Sequence, residues 1–496
     1  MEKSNALSAM QPTDILLEDL AVVEQHGPLP ERITGLYHDS RKLTLGGMFF
    51  ALPGTQQDGH QYIPQAKAAG AALVIGEQPY KPEWGVPYLR VSDVQAFMGQ
   101  VAHRYHGRPS GQLQLVGITG TNGKTTVATL LYHLFRALGY NTGLIATTRY
   151  CIHDTILPST HTTPDALDLH ALLARMVAAR CTHVFMEVSS HAIVQQRIAG
   201  AVFAGGVFTN ISHDHLDFHK TFAAYIAAKK KFFDDLPSTA FALTNKDDKR
   251  GLVMLQNCSA QRKFTFAQKF LGHYQFRILE NTLEGLYLQI QEQTCQMRLV
   301  GAFNAYNLTA AYAVADQLGQ DGVEVLTLLS GLGGVDGRLE RVLHPRIFAF
   351  VDYAHTPDAL QNVLETLQVL RHHPGQRILT VFGCGGNRDR EKRPLMAKIA
   401  EKYSDRIFLT SDNPRNEAPE DILDQIAEGF SIIGHGKAHR ITDRREAIEA
   451  AVAVAQPQDL ILVAGKGHET YQEIAGQRLP FDDRLILRAA LEKHHP

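Results

Sequence analysis

The sequence predicts an α/β protein built on parallel sheets, and three observations carry that expectation. Four apolar runs toward the C-terminus, 347–351, 378–382, 407–410 and 460–464, alternate with helical periodicities. That is the βαβ pattern of a Rossmann-like sheet. Each run ends in a polar or glycine-rich phrase, DYAHTP, GCGGNRDR, SDNPR and GKGHE, at the strand ends where open α/β sheets bind ligands. At 113–138 an apolar run passes through GITGTNGKTT into a helical pattern, which is the strand–loop–helix order of a phosphate-binding loop.

Taken in order, 48–52 (MFFAL) and 71–75 (AALVI) read as buried strands, and the stretches around 64–72 and 94–106 as helices. GRPSGQ (107–112) has the composition of a linker. A strand at 113–118 follows, and Val127, Leu130, Leu131, Leu134, Phe135 and Leu138 then recur at helical spacing. Segments 183–188 and 204–210 are two further strand candidates, and the regular βαβ segment begins after about Arg341. A chain of 496 residues is long enough for three domains, drawn here at 1–107, 108–340 and 341–496.

Net charge of −2 excludes a binder of nucleic acid or anionic membrane driven by charge alone. No apolar stretch reaches the ~20 residues of a membrane span, and no basic-then-apolar leader opens the chain. Cys151, Cys181, Cys258, Cys295 and Cys384 form no CxxC pair. They read as reduced thiols in a cytoplasmic protein rather than as disulfides or a zinc site.

In GITGTNGKTT, glycines at 117, 120 and 123 let the backbone turn its N–H groups toward a phosphate, and the next helix adds its positive end. The loop proper is Gly120, Thr121, Asn122 and Gly123, followed by Lys124, Thr125 and Thr126. Lys124 is placed for the β- and γ-phosphates of ATP, and a threonine hydroxyl for Mg²⁺. The GxxxxGK[ST] pattern is missed by one residue, because Ile118 stands where its first glycine belongs. Motors, kinases, switches and ligases all use such a loop. Glu187, ending its strand, suits Mg²⁺. His213, Asp214, His215, Asp217 and His219 crowd into seven residues, as either a second metal site or a polar loop. Lys229 opens a basic triplet, whose plain reading is a solvated helix face.

Together GTNGKTT, MEVSSH, FTNISHDHLDFH, YxxAK, FNxxN, GRLE, DYAHTP, GCGGNRDR, DNPR and GKGHE resemble the Mur ligase family of bacterial cell-wall synthesis, in family order from about Ser40 to Asp483. The resemblance implies a three-domain architecture, with a central P-loop-type ATPase domain and a C-terminal Rossmann-like domain. The implied reaction is ATP-dependent addition of meso-diaminopimelate to UDP-N-acetylmuramoyl-L-alanyl-D-glutamate through an acyl phosphate. It assigns Lys124, Lys229 and His215 to catalysis, and Thr125, Glu187, His215 and Lys229 to magnesium. Lys229 matches a lysine carbamylated by CO₂, which turns a repelling ammonium into an anionic oxygen ligand suited to a hard cation. Asn304, Asn307, Arg338 and Asp352 match ATP contacts. His38, Ser40, Thr55, Gln56 and Gln57 match the uridine-diphosphate site, and His161, Thr162, Thr163, Ser189, Gln195 and Arg197 the muramoyl-dipeptide. His161 stands where close relatives carry asparagine. Arg388, Asp412, Asn413, Pro414, Arg415, Gly465 and Glu469 match the amino-acid site.

Arg415 is the discriminating residue. Diaminopimelate carries a second carboxylate, which a guanidinium pairs bidentately, whereas lysine ends in an ammonium that a guanidinium repels. The expected protein is a monomer with closing domains, no covalent enzyme intermediate and a packing role for Cys384. Two competing readings are a folylpolyglutamate-synthase-like ligase and an ATP-dependent switch. The HDSR and DNPR phrases oppose the first, and the four polar strand ends oppose the second.

Overall fold

Runs that are buried on both faces form the middle strands of three large sheets, accompanied by two short two-stranded ones. The computed structural model describes residues 10–54, 58–159, 161–212, 214, 216–371, 373 and 375–495, without the side chains of Leu216 and Asp217. The expected contacts Thr55, Gln56, Gln57 and His215, together with His213, lie outside the described residues.

The N-terminal sheet runs Glu24–His26, Tyr88–Arg90, Leu73–Gly76, Met48–Phe50, Leu36–Tyr37, with only the first strand antiparallel. The helix Val94–Tyr105 meets the central segment where a Cβ on Gly99 would come 2.5 Å from the Ala199 carbonyl oxygen. The segment 107–112 is packed rather than loose. Pro109 and Ser110 are buried in a 3₁₀ turn, and Val202 N donates to Ser110 Oγ at 2.9 Å.

The central sheet has eleven strands. Seven run parallel, in the order Thr142–Ile145, His183–Glu187, Gln114–Thr119, Gly205–Phe208, Phe241–Asn245, Arg262–Ala267, Tyr274–Thr282. Antiparallel hairpins extend both edges. Helices Lys124–Ala137 and Ala302–Gln317 pack on one face through Val127, Leu131, Phe135, Leu308 and Ala311. Helices Ala166–Ala178 and Phe222–Asp234 cover the other through Leu169, Leu173, Phe232 and Phe233. Gly117 lies inside its strand and not in the phosphate loop. A Cβ there would meet Phe232 Cζ at 2.6 Å, so this glycine admits the helix on the sheet.

The C-terminal sheet runs Glu340–Val342, Phe348–Asp352, Leu460–Ala464, Ile378–Phe382, Arg406–Leu409, Ala438–Arg440. All neighbours are parallel except the first pair. Helices Pro357–Val369, Lys392–Tyr403 and Pro419–Ala427 cover one face. Arg444–Ala453 and Asp483–His494 cover the other. Among the described residues no helix is long and apolar enough to cross a membrane.

Candidate active site

The phosphate loop leaves the carboxyl end of strand Gln114–Thr119, beside the ends of its parallel neighbours. The segment after Gly205–Phe208 pins it. Thr121 N donates to Asn210 O at 2.8 Å and Asn122 N to Asn210 Oδ1 at 2.9 Å, while Thr209 Oγ1 donates to Asn122 O at 2.6 Å. Asp248 steadies that segment by accepting Ile211 N at 2.8 Å. Gly123 sits at φ 88°, where a side chain is strained, and a Cβ would come 2.5 Å from Asn307 Oδ1. Asn307 Nδ2 in turn donates to Asn304 Oδ1 at 2.9 Å. Of these two expected nucleotide contacts, Asn307 therefore packs against the back of the loop, and Asn304 holds Asn307 in place.

Two lysines converge on one oxygen. Lys124 Nζ donates to Gly120 O at 2.9 Å, and Lys229 Nζ reaches the same oxygen at 2.8 Å. Lys230 and Lys231 pair with Asp234 and Asp235 on the helix surface, so the solvated-face reading holds for them and fails for Lys229, which is buried. Burial, and then the Lys124 charge, hold the Lys229 amine well below its usual range, with Asp214 opposing. Burial also lowers Lys124, against the pull of Glu187 and Asp214. Asp214 is thus the described member of the 213–219 cluster that faces both lysines. His219 instead pairs with Ser190 Oγ at 2.9 Å.

Glu187 is fully buried at its strand end and accepts Thr147 N at 2.7 Å and Thr147 Oγ1 at 3.2 Å. Thr147 Oγ1 also lies within hydrogen-bonding distance, 3.0 Å, of Thr162 Oγ1. Thr163 Oγ1 donates to Glu187 O at 2.8 Å, and Arg197 Nη1 to Thr163 O at 2.9 Å. Thr162, Thr163 and Arg197 are therefore one network with Glu187. Ser189 caps the short helix Ser190–Val194, which continues to Gln195, and the exposed His161 anchors its backbone to Tyr150 Oη. Thr125 Oγ1 accepts Arg338 Nη2 at 3.2 Å. Oxygen donors at Thr125 and Glu187 suit a hard cation, and Thr119 Oγ1 and Ser212 Oγ nearby are buried without a partner among the described residues. Among the described residues no group of three or more His, Cys, Asp or Glu gathers to hold a metal, here or elsewhere.

Asp352 ends the strand Phe348–Asp352 and accepts Leu339 N at 2.5 Å and Ala354 N at 2.7 Å, which ties GRLE to DYAHTP. Burial raises its carboxyl. Arg338 lies over the Tyr353 ring at 4.8 Å.

The amino-acid residues gather on three adjoining loops of the C-terminal sheet. Arg415 Nη1 donates to Gly386 O at 2.8 Å, and its Nε lies 3.6 Å from Glu473 Oε2. Asn413 Nδ2 donates to Glu469 Oε2 at 2.8 Å. Asp412 Oδ2 is buried without a hydrogen-bond partner and would clash at 2.4 Å with a Cβ on Gly465, whose φ is 120°. Pro414 is buried in the same loop, and Arg388 is exposed, contacting Asn387 O at 3.3 Å. Cys384 is a packing residue: burial pushes its thiol up to about 12, and Sγ rests 3.6 Å from Met396 Sδ.

Sequence reasoning missed Lys466, which is fully buried and donates at 2.9 Å to both Asn413 Oδ1 and Glu469 Oε2. It also missed the half-buried pair Arg393–Glu417 and the fully buried pair Arg444–Asp483. GKGHE had marked the first position, but no local signal marks the others. In the N-terminal segment, Ser40 Oγ donates to Gln65 Oε1 at 2.8 Å, and His38 Nε2 lies 3.3 Å from Asp165 Oδ2 of the central segment.

Comparison with known proteins places these features together. Residues 32–106 match the family model "Mur ligase family, catalytic domain", 118–315 "Mur ligase middle domain", and 337–467 "Mur ligase, glutamate ligase domain". The chain is similar to the UDP-N-acetylmuramoyl-L-alanyl-D-glutamate–2,6-diaminopimelate ligase of Cytophaga hutchinsonii, 49% identical over 97% of this chain and 99% of that one. The ligase of that name from Aquifex aeolicus is 40% identical over 93% of this chain and 94% of its own. A solved structure of a ligase with the same name matches with a TM-score of 0.71 at 34% identity, covering 98% of this chain and 100% of that chain. A MurF ligase of Thermotoga maritima in complex with ADP shares the fold, with a TM-score of 0.59 at 16% identity, over 92% and 97% of the two chains.

Proposed function

The chain belongs to the Mur ligase family, and from that premise we propose that it joins meso-diaminopimelate to the D-glutamate γ-carboxylate of UDP-N-acetylmuramoyl-L-alanyl-D-glutamate, consuming ATP, in peptidoglycan synthesis in the cytoplasm. The observation that carries the chemistry is the pair Lys124 and Lys229 on the Gly120 carbonyl.

Residues 120–126 hold the ATP phosphates against the loop N–H groups and Lys124. Asn304, Asn307, Arg338 and Asp352 hold the rest of the nucleotide. Thr125, Glu187, His215 and a carbamate on Lys229 would hold magnesium, which would supply Lewis-acid neutralisation of phosphate charge. Burial holds the Lys229 amine well below its usual range, which favours the neutral form that adds CO₂ and supports that reading. The 1–107 segment, with His38, Ser40, Thr55, Gln56 and Gln57, takes the UDP end. Residues 161–163, 189, 195 and 197 take the muramoyl-dipeptide.

The substrate γ-carboxylate attacks the γ-phosphorus, releasing ADP and forming an acyl phosphate. The diaminopimelate amine then attacks the acyl carbon, phosphate leaves, and the amine proton passes to solvent. Arg388 and Arg415 pair with the far carboxylate, and Asp412 and Glu469 with ammonium groups. The unpartnered Asp412 Oδ2 supports that assignment.

Phosphate release measured with the UDP-dipeptide, comparing meso-diaminopimelate with L-lysine, tests the reading. Strong preference for diaminopimelate is expected. Equal turnover with both would sink the role of Arg415, and ATP hydrolysis indifferent to the UDP-dipeptide would sink the ligase itself.

A further inference from the structure

Two loops carry the guanidiniums of the amino-acid pocket, and they are stitched to each other by hydrogen bonds from backbone N–H groups. Gly386 N donates to Asn413 O at 2.9 Å, and Asn416 N to Asn387 Oδ1 at 3.2 Å. A Cβ on Gly386 would stand 1.9 Å from Pro414 O, so the two backbones touch.

Beneath this contact lies Arg393, fully buried on the helix Lys392–Tyr403. Its Nη1 donates to Glu417 Oε2 at 3.0 Å and its Nη2 to Glu417 Oε1 at 3.2 Å, a fork-to-fork pairing. The same guanidinium reaches Gln425 Oε1 at 2.7 Å and Gly385 O at 3.2 Å. Glu417 Oε1 also accepts Asn387 N at 2.5 Å, and Arg390 lies 3.4 Å from Oε2. One carboxylate, two residues past Arg415, thus grips the residue immediately before Arg388.

Backbone strain shows why that grip matters. Asn387 and Arg415 both sit in the left-handed region, at φ 52° and 53°, which side chains other than glycine hold only when bonded from outside. Asn387 is held through its N–H by Glu417 and through its side chain by Asn416, and its backbone sets the direction in which Arg388 leaves. Stability alone does not call for a guanidinium at the fully buried Arg393 position, since packed apolar residues fill a buried site at least as well. What the pair adds is a fixed geometry.

We propose that Arg393 and Glu417 are the positioning pair of the amino-acid pocket, fixing the spacing of Arg388 and Arg415 and with it the preference for an incoming amino acid that bears a second carboxylate. This rests on the diaminopimelate reading above. Neither residue touches substrate; both act through Arg388 and Arg415.

The test measures kcat and the KM values for meso-diaminopimelate, ATP and the UDP-dipeptide, with melting temperature, for wild type, Glu417→Gln, Arg388→Ala and their double variant. Glu417→Gln should raise the diaminopimelate KM by about 10- to 100-fold, as misplacing a binding group by about 1 Å does. The other two KM values should stay near wild type, and selectivity over lysine should fall in proportion. In the Arg388→Ala background the same change should add little. If Glu417→Gln does not fold, Arg393→Met with Glu417→Leu keeps the site packed, and the same KM rise is expected. An unchanged diaminopimelate KM overturns the pair. So does a rise in all three KM values that follows the melting temperature, or effects of Glu417→Gln and Arg388→Ala that simply multiply. Wild type that uses lysine and not diaminopimelate overturns both readings, whereas normal wild-type use with a silent Glu417→Gln overturns the pair alone.

Discussion

Asp483→Asn should weaken the C-terminal sheet far more than a surface change would. Arg444 and Asp483 are both fully buried, with Nε to Oδ1 at 2.8 Å and Nη2 to Oδ2 at 2.7 Å. The guanidinium also caps Ala464 O at 3.0 Å and Ser411 O at 3.5 Å. Those carbonyls stand where the 465–469 and 412–415 loops leave their strands. Asparagine keeps the shape and removes the charge, leaving the guanidinium without its paired carboxylate and with only the more distant Asp412 and Glu469. Breaking such a pair costs about 3–5 kcal/mol. For a unit of about 150 residues each kcal/mol moves the midpoint by about 2–4 °C, so calorimetry should show a fall of roughly 6–20 °C. Arg444→Met with Asp483→Leu removes both charges and should recover most of that loss. The two carbonyls stay uncapped in the double variant, so its KM for the amino acid should remain raised while its melting temperature recovers. A single variant that melts within about 2 °C of wild type would refute the reasoning, as would a double variant no more stable than the single.

Three further outcomes follow. Lys229→Ala should lower kcat by about 100- to 1,000-fold, the scale for losing one preorganised charge-stabilising group, with partial rescue by acetate or propionate; a variant keeping a tenth of wild-type activity contradicts the carbamate role. Gly120→Ala would bring a methyl 1.9 Å from Thr209 Oγ1 and should weaken ADP binding in calorimetric titration at least about tenfold, as a misplaced loop does; unchanged affinity counts against Gly120–Thr126 as the phosphate cradle. The Asp165 hydrogen bond raises His38 above its usual 6.5. Its contribution is therefore full below about 6.5 and is lost as pH rises through the raised folded value, and at this exposure it is worth no more than about 0.5 kcal/mol. Carbon-13 histidine NMR should show His38 titrating above 6.5 in wild type and lower in Asp165→Asn, and a wild-type value at or below 6.5 removes the interaction.

The parallel cores were legible because their strands are buried on both faces and so read as unbroken apolar runs. Ile378–Phe382 and Leu460–Ala464 match residue for residue, and the phrase after each strand end lands at the site. The antiparallel extension was not legible. Gln293–Met297 reads QTCQM and Tyr274–Thr282 reads YQFRILENT, half-exposed strands whose apolar side is too sparse to stand out from a loop. Gly117 misled in the other direction, since a glycine that makes room for Phe232 looks in sequence like one that makes room for phosphate. Buried ion pairs were invisible for a different reason. Arg393 sits in KRPLMAKIAEKY among charges that face water, and Glu417 stands 24 residues away. Only the fold brings them together, and no periodicity distinguishes a charge that turns inward.

The resting electrostatics around the Gly120 carbonyl account for why, of the two lysines that meet there, Lys229 is the one suited to the proposed modification. Both amines lie within hydrogen-bonding distance of Gly120 O, so they are no more than about 6 Å apart, and two ammonium charges there repel by about 3 kcal/mol at an effective dielectric of 20. The proton to give up is on Lys229. Lys124 has Glu187 and Asp214 to hold its charge, whereas Lys229 has Asp214 alone and is the more deeply buried of the two. Were Lys229 neutral, the repulsion would be relieved and its amine would be the nucleophile that the proposed carbamylation needs. On the proposed reading, the resulting carbamate reverses the sign of the interaction with Lys124, so that repulsion becomes attraction of similar size and the loop lysine keeps its proton for the phosphates.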